Sequence, residues 1–342
     1  MLPHDDPPHE LVTNGTYNFG TYRAPIPSVN PLDAATREPR WFRNLRLKEW
    51  EAFQIGNDDW FICGAVYSAK VLGLLQVAVV HWPTGKIRRW VERVPAWKLS
   101  VASGLDATRS TGSGKLLDMA VENRLPSDGI AIRADSDGTD ELPPLRLDVA
   151  GQASPENTAH LVICHPFSES RALYSNKAVM AAEGTMIIGD QKIDFGSGRS
   201  FLILDDHKGD YPFPMKYDWV TGAHIESDGR RVAFNLTHNQ IQDPDRFNEN
   251  AVFINEQVSR LGAVTFDRPD GVNQTWAIRD TTGAVDVRFH PDISSELHVG
   301  PGRSLAEYFG PYGRFEGTID TGDEVIDVAG FRGMGEKKLI RS

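Results

Sequence analysis

Residues 204–250 concentrate side chains that could move a proton or hold a polar group: Asp205, Asp206, His207, Tyr217, Asp218, Trp219, His224, Asn235, His238, Glu249 and Asn250. A carboxylic acid whose pKa is raised by an apolar cavity can protonate a carbon–carbon double bond or a carbonyl. Asp206 is the candidate acid, because it ends the apolar run 201–204 and is followed by a histidine. His207 or His238 would then manage the returning proton or a water. Trp219 and Trp276 offer ring faces to developing positive charge, and Tyr217, Asn235, Glu249 and Asn250 are candidates for holding the substrate. The plainer reading is as concrete. Alternate residues of a strand face water, and an Asp at a strand end often caps a turn by accepting backbone N–H bonds.

Motifs for other chemistries are missing. The stretch TGSGK at 111–115 resembles a phosphate loop only superficially, since Arg109 stands where the first glycine belongs and Leu116 follows Lys115. No G-x-G-x-x-G supports a dinucleotide site, and no G-x-S-x-G supports a hydrolase elbow. His160 and His165 are five apart in an expected strand, hence on opposite faces, with no H-E-x-x-H or C-x-x-C beside them. The sequence therefore predicts neither metal nor cofactor, and any chemistry must come from ordinary acids, bases and amides.

The elements that must position these groups are strands. From residue 51 onward, short apolar runs recur between Gly, Pro, Asn and Asp clusters, the signature of antiparallel meanders. A first series covers 51–56, 59–69, 73–82 and 86–94, continues at 97–101, 116–122, 129–134 and 145–149, and ends at 160–167. A second covers 185–195, 199–206, 217–227, 231–239, 251–268, 274–280 and 284–291. It closes at 313–338 after a Gly/Pro-rich interruption. Asp228-Gly229, Asp270-Gly271, Thr282-Gly283 and Thr321-Gly322 fall where hairpin turns are needed. A meander of eight or more strands can close into a barrel, which removes its edges and leaves room for one small apolar ligand.

A chain of 342 residues fits two such units. The expected division is an arm at 1–40, a first barrel at 41–183 and a second at 184–342. Residues 168–183 (SESRALYSNKAVMAAE) are the best helix candidate and the expected boundary. The net charge of −11 disfavours nucleic acid. The most apolar stretch, 71–80, is about half the ~20 residues a transmembrane helix needs, and the N-terminus lacks a basic and then apolar leader. Cys63 and Cys164 lie far apart in apolar runs and read as buried free thiols, which suits a reducing cytoplasm.

The segment LDDHKGDYPFPMKYDWVTGAHIESDGRRVAFNLTHN (204–239) resembles domain of unknown function 2804, a family of the calycin superfamily. More distantly it is similar to the carotenoid 1,2-hydratase family. Further matches are RLKEWEAFQI (46–55), NENAVFINEQVSRLGAVTF (248–266) and FEGTIDTGDEVIDVAGFRGMGE (315–336). Asp206-His207 match the hydratase Asp-His, with Asp205 an alternative for the acid. Lys208-Gly209 replace its acidic or amide residue and Trp, and Tyr217-Asp218-Trp219 match Trp-Asp-Trp with one aromatic exchanged.

The resemblance implies an all-β fold of two tandem calycin/lipocalin-like antiparallel barrels. It also implies cofactor-free chemistry on a large apolar molecule. The expected function is thus a cofactor-independent hydratase, lyase or isomerase acting on an isoprenoid- or polyketide-like compound inside a barrel cavity. The alternative is a non-catalytic calycin-type carrier of a hydrophobic ligand. Either would work as a monomer or weak homodimer.

Overall fold

A computed structural model describes residues 5–125, 127–153, 158–196, 198–299 and 306–341. The chain is 60% strand and 5% helix, as the short apolar runs between turn residues lead one to expect. Two short strands, β1 (Val12–Thr13) and β2 (Thr16–Tyr17), form a hairpin, followed by β3 (Gly20–Tyr22) and the one α-helix among the described residues, α1 (Arg40–Arg46).

A first run of long strands follows: β4 (Lys48–Gly56), β5 (Trp60–Ser68), β6 (Leu72–His81) and β7 (Lys86–Pro95). Next come β8 (Leu99–Ser100), β9 (Thr108–Ser113), β10 (Asp118–Arg124), β11 (Gly129–Ser136) and β12 (Leu145–Gln152). The run ends with β13 (Ala159–Ser168), β14 (Arg171–Ile188), β15 (Gln191–Phe195) and β16 (Phe201–Gly209). These form one antiparallel sheet in the order β7-β6-β5-β4-β16-β14-β12-β11-β10-β9-β8, with β13 and β15 also on β14 and β3 on β13.

The second sheet contains β17 (Met215–Ile225), β18 (Arg231–Asn239), β19 (Ala251–Ile254), β20 (Gln257–Arg260), β21 (Val264–Asp267) and β22 (Trp276–Asp280). It continues with β23 (Val285–Ile293), β24 (Glu296–Val299), β25 (Ala306–Phe309), β26 (Tyr312–Asp320), β27 (Val325–Asp327) and β28 (Arg332–Ile340). Its main path is β20-β19-β18-β17-β28-β26-β23-β22-β21, and β25 pairs with β28. Residues 300–305, within the expected Gly/Pro-rich interruption, lie outside the described residues.

One sheet curls into a nearly closed barrel and the other into a half-barrel, so the fold is two tandem calycin/lipocalin-like barrels. Each sheet encloses an apolar core. Ile62, Val77, Val121, Ile132, Leu147 and Met180 fill the first, and Val220, Phe234, Trp276, Phe289 and Phe315 the second. Burying each such side chain is worth about 1.5–3 kcal/mol. A third apolar layer lies between the sheets and draws on Phe61, Cys63 and Ile203 from one and Met215, Trp219 and Met334 from the other.

The helix expected at 168–183 is a strand. Its Ala, Lys, Met and Glu favour helix in isolation, but β14 is a central strand, buried almost continuously and paired on both edges. Packing on both faces overrides propensity. Residues 173–179 lie between β13 and β16, and 184–188 between β12 and β15. The change of neighbours comes near Gly184, whose φ is +138° and where a Cβ would sit 2.2 Å from the Asp148 carbonyl oxygen. The division expected after residue 183 therefore falls inside this strand, and the sheets change over between Gly209 and Met215. Of the expected arm, residues 1–4 lie outside the described residues. The rest packs on β13 through Leu11, Val12, Tyr17 and Tyr22.

Candidate functional site

Strand β16 is longer than its apolar run suggested, and Asp206 lies within it rather than at its end. Alternation then decides which side chain goes where. Leu202, Leu204, Asp206 and Lys208 face the core enclosed by the first sheet, whereas Ile203, Asp205 and His207 face the second sheet. Asp206 thus neither points into the cavity described below nor caps a turn. It is 0% exposed, it accepts a hydrogen bond from the Lys208 ammonium at 2.9 Å, and it stands directly opposite Glu51 on β4.

The cavity expected inside a barrel lies instead between the two sheets. It measures about 270 Å³. Its floor comes from five strands adjacent in the first sheet, β6, β5, β4, β16 and β14, and its roof from four adjacent in the second, β18, β17, β28 and β25. Strict alternation makes the walls. Trp50, Ala52 and Gln54 come from β4, and Met334, Glu336, Lys338 and Ile340 from β28, each set one face of one strand. Tyr211, between the sheets, and Glu249, just before β19, complete it.

Polar groups in this wall form two clusters. In the first, Lys177 on β14 is directly opposite Asp205 on β16, and its ammonium meets the Asp205 carboxylate at 2.8 Å and Glu249 at 3.6 Å. Ser175 donates to Asp205 at 3.2 Å, and Asn239 donates to Glu249 at 3.3 Å. Burial pushes the Glu249 carboxyl up, with Lys177 opposing, so it holds its proton to higher pH than a surface glutamate. Trp219 donates to Asn235 at 2.6 Å, and Asn235 donates to the Glu249 carbonyl at 2.7 Å, which ties the aromatic wall to the acid.

In the second cluster, Glu336 accepts hydrogen bonds from the hydroxyls of Tyr217, at 2.7 Å, and Tyr308. Lys338 lies between the same two tyrosines. His207 sits between the clusters. Its ring stacks on Trp50 at 3.7 Å and 9°, and its Nε2 is hydrogen-bonded to the Tyr211 hydroxyl. Burial, reinforced by the charges of Lys177, Lys338 and Lys208, holds its pKa well below 6.5, so the imidazole is neutral.

Of the expected site residues, His207, Tyr217, Trp219 and Glu249 meet in the cavity, and Asn235 supports them from behind. The others lie elsewhere. His238 is exposed on β18, one residue out of phase with Thr237 and Asn239, which line the cavity. Asn250 is 0% exposed and serves the backbone, accepting from the Thr237 N–H and donating to the Gly262 carbonyl. Trp276 is in the second core, beneath the Arg268 guanidinium at 3.9 Å. Sequence reasoning missed Trp50, Lys177, Tyr308, Glu336 and Lys338. Their signal was a charged or aromatic residue in phase with the apolar face of a strand, as in Met334, Glu336, Lys338 and Ile340.

Among the described residues no group of three or more His, Cys, Asp or Glu could hold a metal ion, and no helix is long and apolar enough to cross a membrane. No curated protein matches the chain. Solved structures that share its fold include two that each align at a TM-score of 0.50. A candidate AttH of Nitrosomonas europaea is 13% identical, with 90% of this chain and 97% of that one covered. Kievitone hydratase of Nectria haematococca is 12% identical, with 86% and 89% covered. A likeness at that identity is one of fold. The family profile described as "Domain of unknown function (DUF2804)" matches residues 5–341, and the chain belongs to that family.

Proposed function

We propose that the chain binds an apolar small molecule between its sheets and performs cofactor-free proton transfer on it, as a hydratase, lyase or isomerase. One observation carries this reading. A buried acid, Glu249, and a neutral imidazole, His207, line the same aromatic cavity, their pKa values pushed in opposite directions. Groups separated in that way can serve as proton donor and proton acceptor at one pH. Glu249 would donate the proton, His207 would take one from carbon or from water, and Lys177 with Asp205 would balance the charge between turnovers. Kievitone hydratase, which shares the fold, is by its name also a hydratase.

The carrier reading keeps the same cavity without turnover. Its support is the density of fixed hydrogen bonds around Asn235 and Asn239, which would hold a polar headgroup equally well. The two readings separate in one experiment. An apolar extract of cells is incubated with the protein and with His207→Asn, and both are analysed by mass spectrometry. Gain or loss of one water, or a new isomer, made only by the unaltered protein supports catalysis. Enrichment of a compound without change supports the carrier. The protein we propose is cytoplasmic and monomeric or weakly dimeric, has no nucleic-acid partner, and divides into its two units where the sheets change over, at residues 210–214, rather than after residue 183. The buried thiols Cys63 and Cys164 fit that compartment.

A further inference from the structure

The cavity's two lysines are held in opposite ways. Burial alone would lower the pKa of Lys177, but Asp205 and Glu249 outweigh it and keep the ammonium charged. Lys338 makes no ion pair among the described residues. Its ammonium donates to the Tyr217 hydroxyl at 3.2 Å and is ringed by Tyr217, Trp50, Tyr67 and Tyr308, with Nζ 5.2, 5.5, 5.7 and 5.8 Å from their centroids. Burial in this wall lowers its pKa, and Glu336 offsets only part of the effect. A lysine made easier to deprotonate in an apolar pocket is a nucleophile. A proton path is already attached, because Tyr217 accepts from Lys338 and donates to Glu336.

We infer that Lys338 is a carbonyl-capturing amine and that the cavity's substrate is an apolar aldehyde or ketone, held as an imine on Nζ. This rests on the reading that the cavity takes an apolar molecule. In the step, the Nζ lone pair bonds to the carbonyl carbon and the π pair moves to oxygen. The two amine protons pass to that oxygen through the Tyr217 hydroxyl, the C–O bond breaks, and water leaves. Amine plus carbonyl thus becomes imine plus water, with no oxidant or reductant. Once protonated, the imine draws electrons from the neighbouring carbons. An α proton becomes removable by His207, and a conjugated β carbon becomes open to water, so one device serves both isomerisation and hydration.

The test treats the full chain with cinnamaldehyde, an apolar aromatic aldehyde, and cyanoborohydride at neutral pH, and then maps the reduced adducts by peptide mass spectrometry. The expected result is labelling at Lys338 at least ~10-fold faster than at Lys177 or any surface lysine, since only an amine made nucleophilic reacts preferentially. Lys338→Arg should abolish that adduct, and Tyr217→Phe should slow it. Equal labelling of surface lysines, preference for Lys177, or no adduct at Lys338 overturns the inference. Binding of anilinonaphthalene sulfonate, measured by fluorescence, separates the two levels. Dye uptake with Lys338 unlabelled defeats the imine alone, and no uptake with no label defeats the apolar cavity as well.

Discussion

Asp206 and Lys208 leave β16 on one side, Asp205 and His207 on the other, and the two pairs obey different rules. The inward pair is sealed in the first core: Asp206 is 0% and Lys208 2% exposed, and they meet each other at 2.9 Å. The outward pair lines the cavity between the sheets, with Lys177, Glu249 and Trp50 as neighbours. Adjacent residues of similar type thus become structure on one face and candidate chemistry on the other. One step along a strand moves a side chain to the opposite face.

The largest effect should come from breaking the inward pair. Lys208→Met leaves the Asp206 carboxyl buried without its cation and should cost about 3–5 kcal/mol of folding free energy, measured by urea unfolding. Joining it with Asp206→Leu should recover most of that loss and leave dye binding between the sheets unchanged. If the double substitution alters the cavity, the two faces of β16 are not independent.

Glu51 sharpens the contrast through pH. Burial, reinforced by Asp206 directly opposite, raises its pKa from 4.5 to about 8, while Ser110, Asn123 and Lys208 pull it down. Between those values the folded chain keeps a proton that the unfolded chain has released. Stability should therefore fall as pH rises from about 4.5 to about 8, by up to about 1.4 kcal/mol per pH unit. Glu51→Gln removes that titration and should flatten thermal midpoints across this window. An unaltered slope would mean that Glu51 is ionised in the fold.

This contrast also sets what could be read from the sequence. Hairpin turns at Asp228-Gly229 and Thr282-Gly283 and short apolar runs between turn residues along β4–β7 and β17–β18 make the all-β fold legible, because turn chemistry and run length are local. Site residues were legible where they cluster along the chain, as His207, Tyr217 and Trp219 do. Asp206 was misplaced because strand phase depends on where pairing begins. The apolar run at 201–204 hid a strand that continues to Gly209. Lys338 and Lys177 were out of reach for another reason: only pairing within the first sheet and packing of the second sheet against it bring 50, 177, 207 and 338 to one cavity.

On the outward face, His207→Asn should lower turnover by ~10² or more while leaving the fold intact, within the range general base catalysis supplies. The pH profile tests the cause. A base held well below 6.5 by burial stays neutral where an ordinary histidine would be protonated. Activity should therefore run level through pH 6.5 in acid, and a limb near that value would assign the base to another group. Stability has the opposite sense to that of Glu51. Below pH 6.5 the unfolded chain takes up a proton that folded His207 refuses, so this contribution is lost as pH falls.

The smallest effect should come from His238, and it tests the face rule itself. Thr237 and Asn239 line the cavity, so the residue between them must point away. His238 is exposed and stands opposite Asp218, which is held by Arg268 at 2.9 Å. His238→Ala should therefore shift unfolding by no more than about 0.5 kcal/mol, as exposed substitutions usually do, and leave turnover and dye binding unchanged. Asn239→Ala, one residue along, removes the hydrogen bond to Glu249 and should weaken both. Were the two substitutions to act alike, β18 would have to present a different face to the cavity, and the assignment of Tyr217, its partner opposite Asn239, would fall with it.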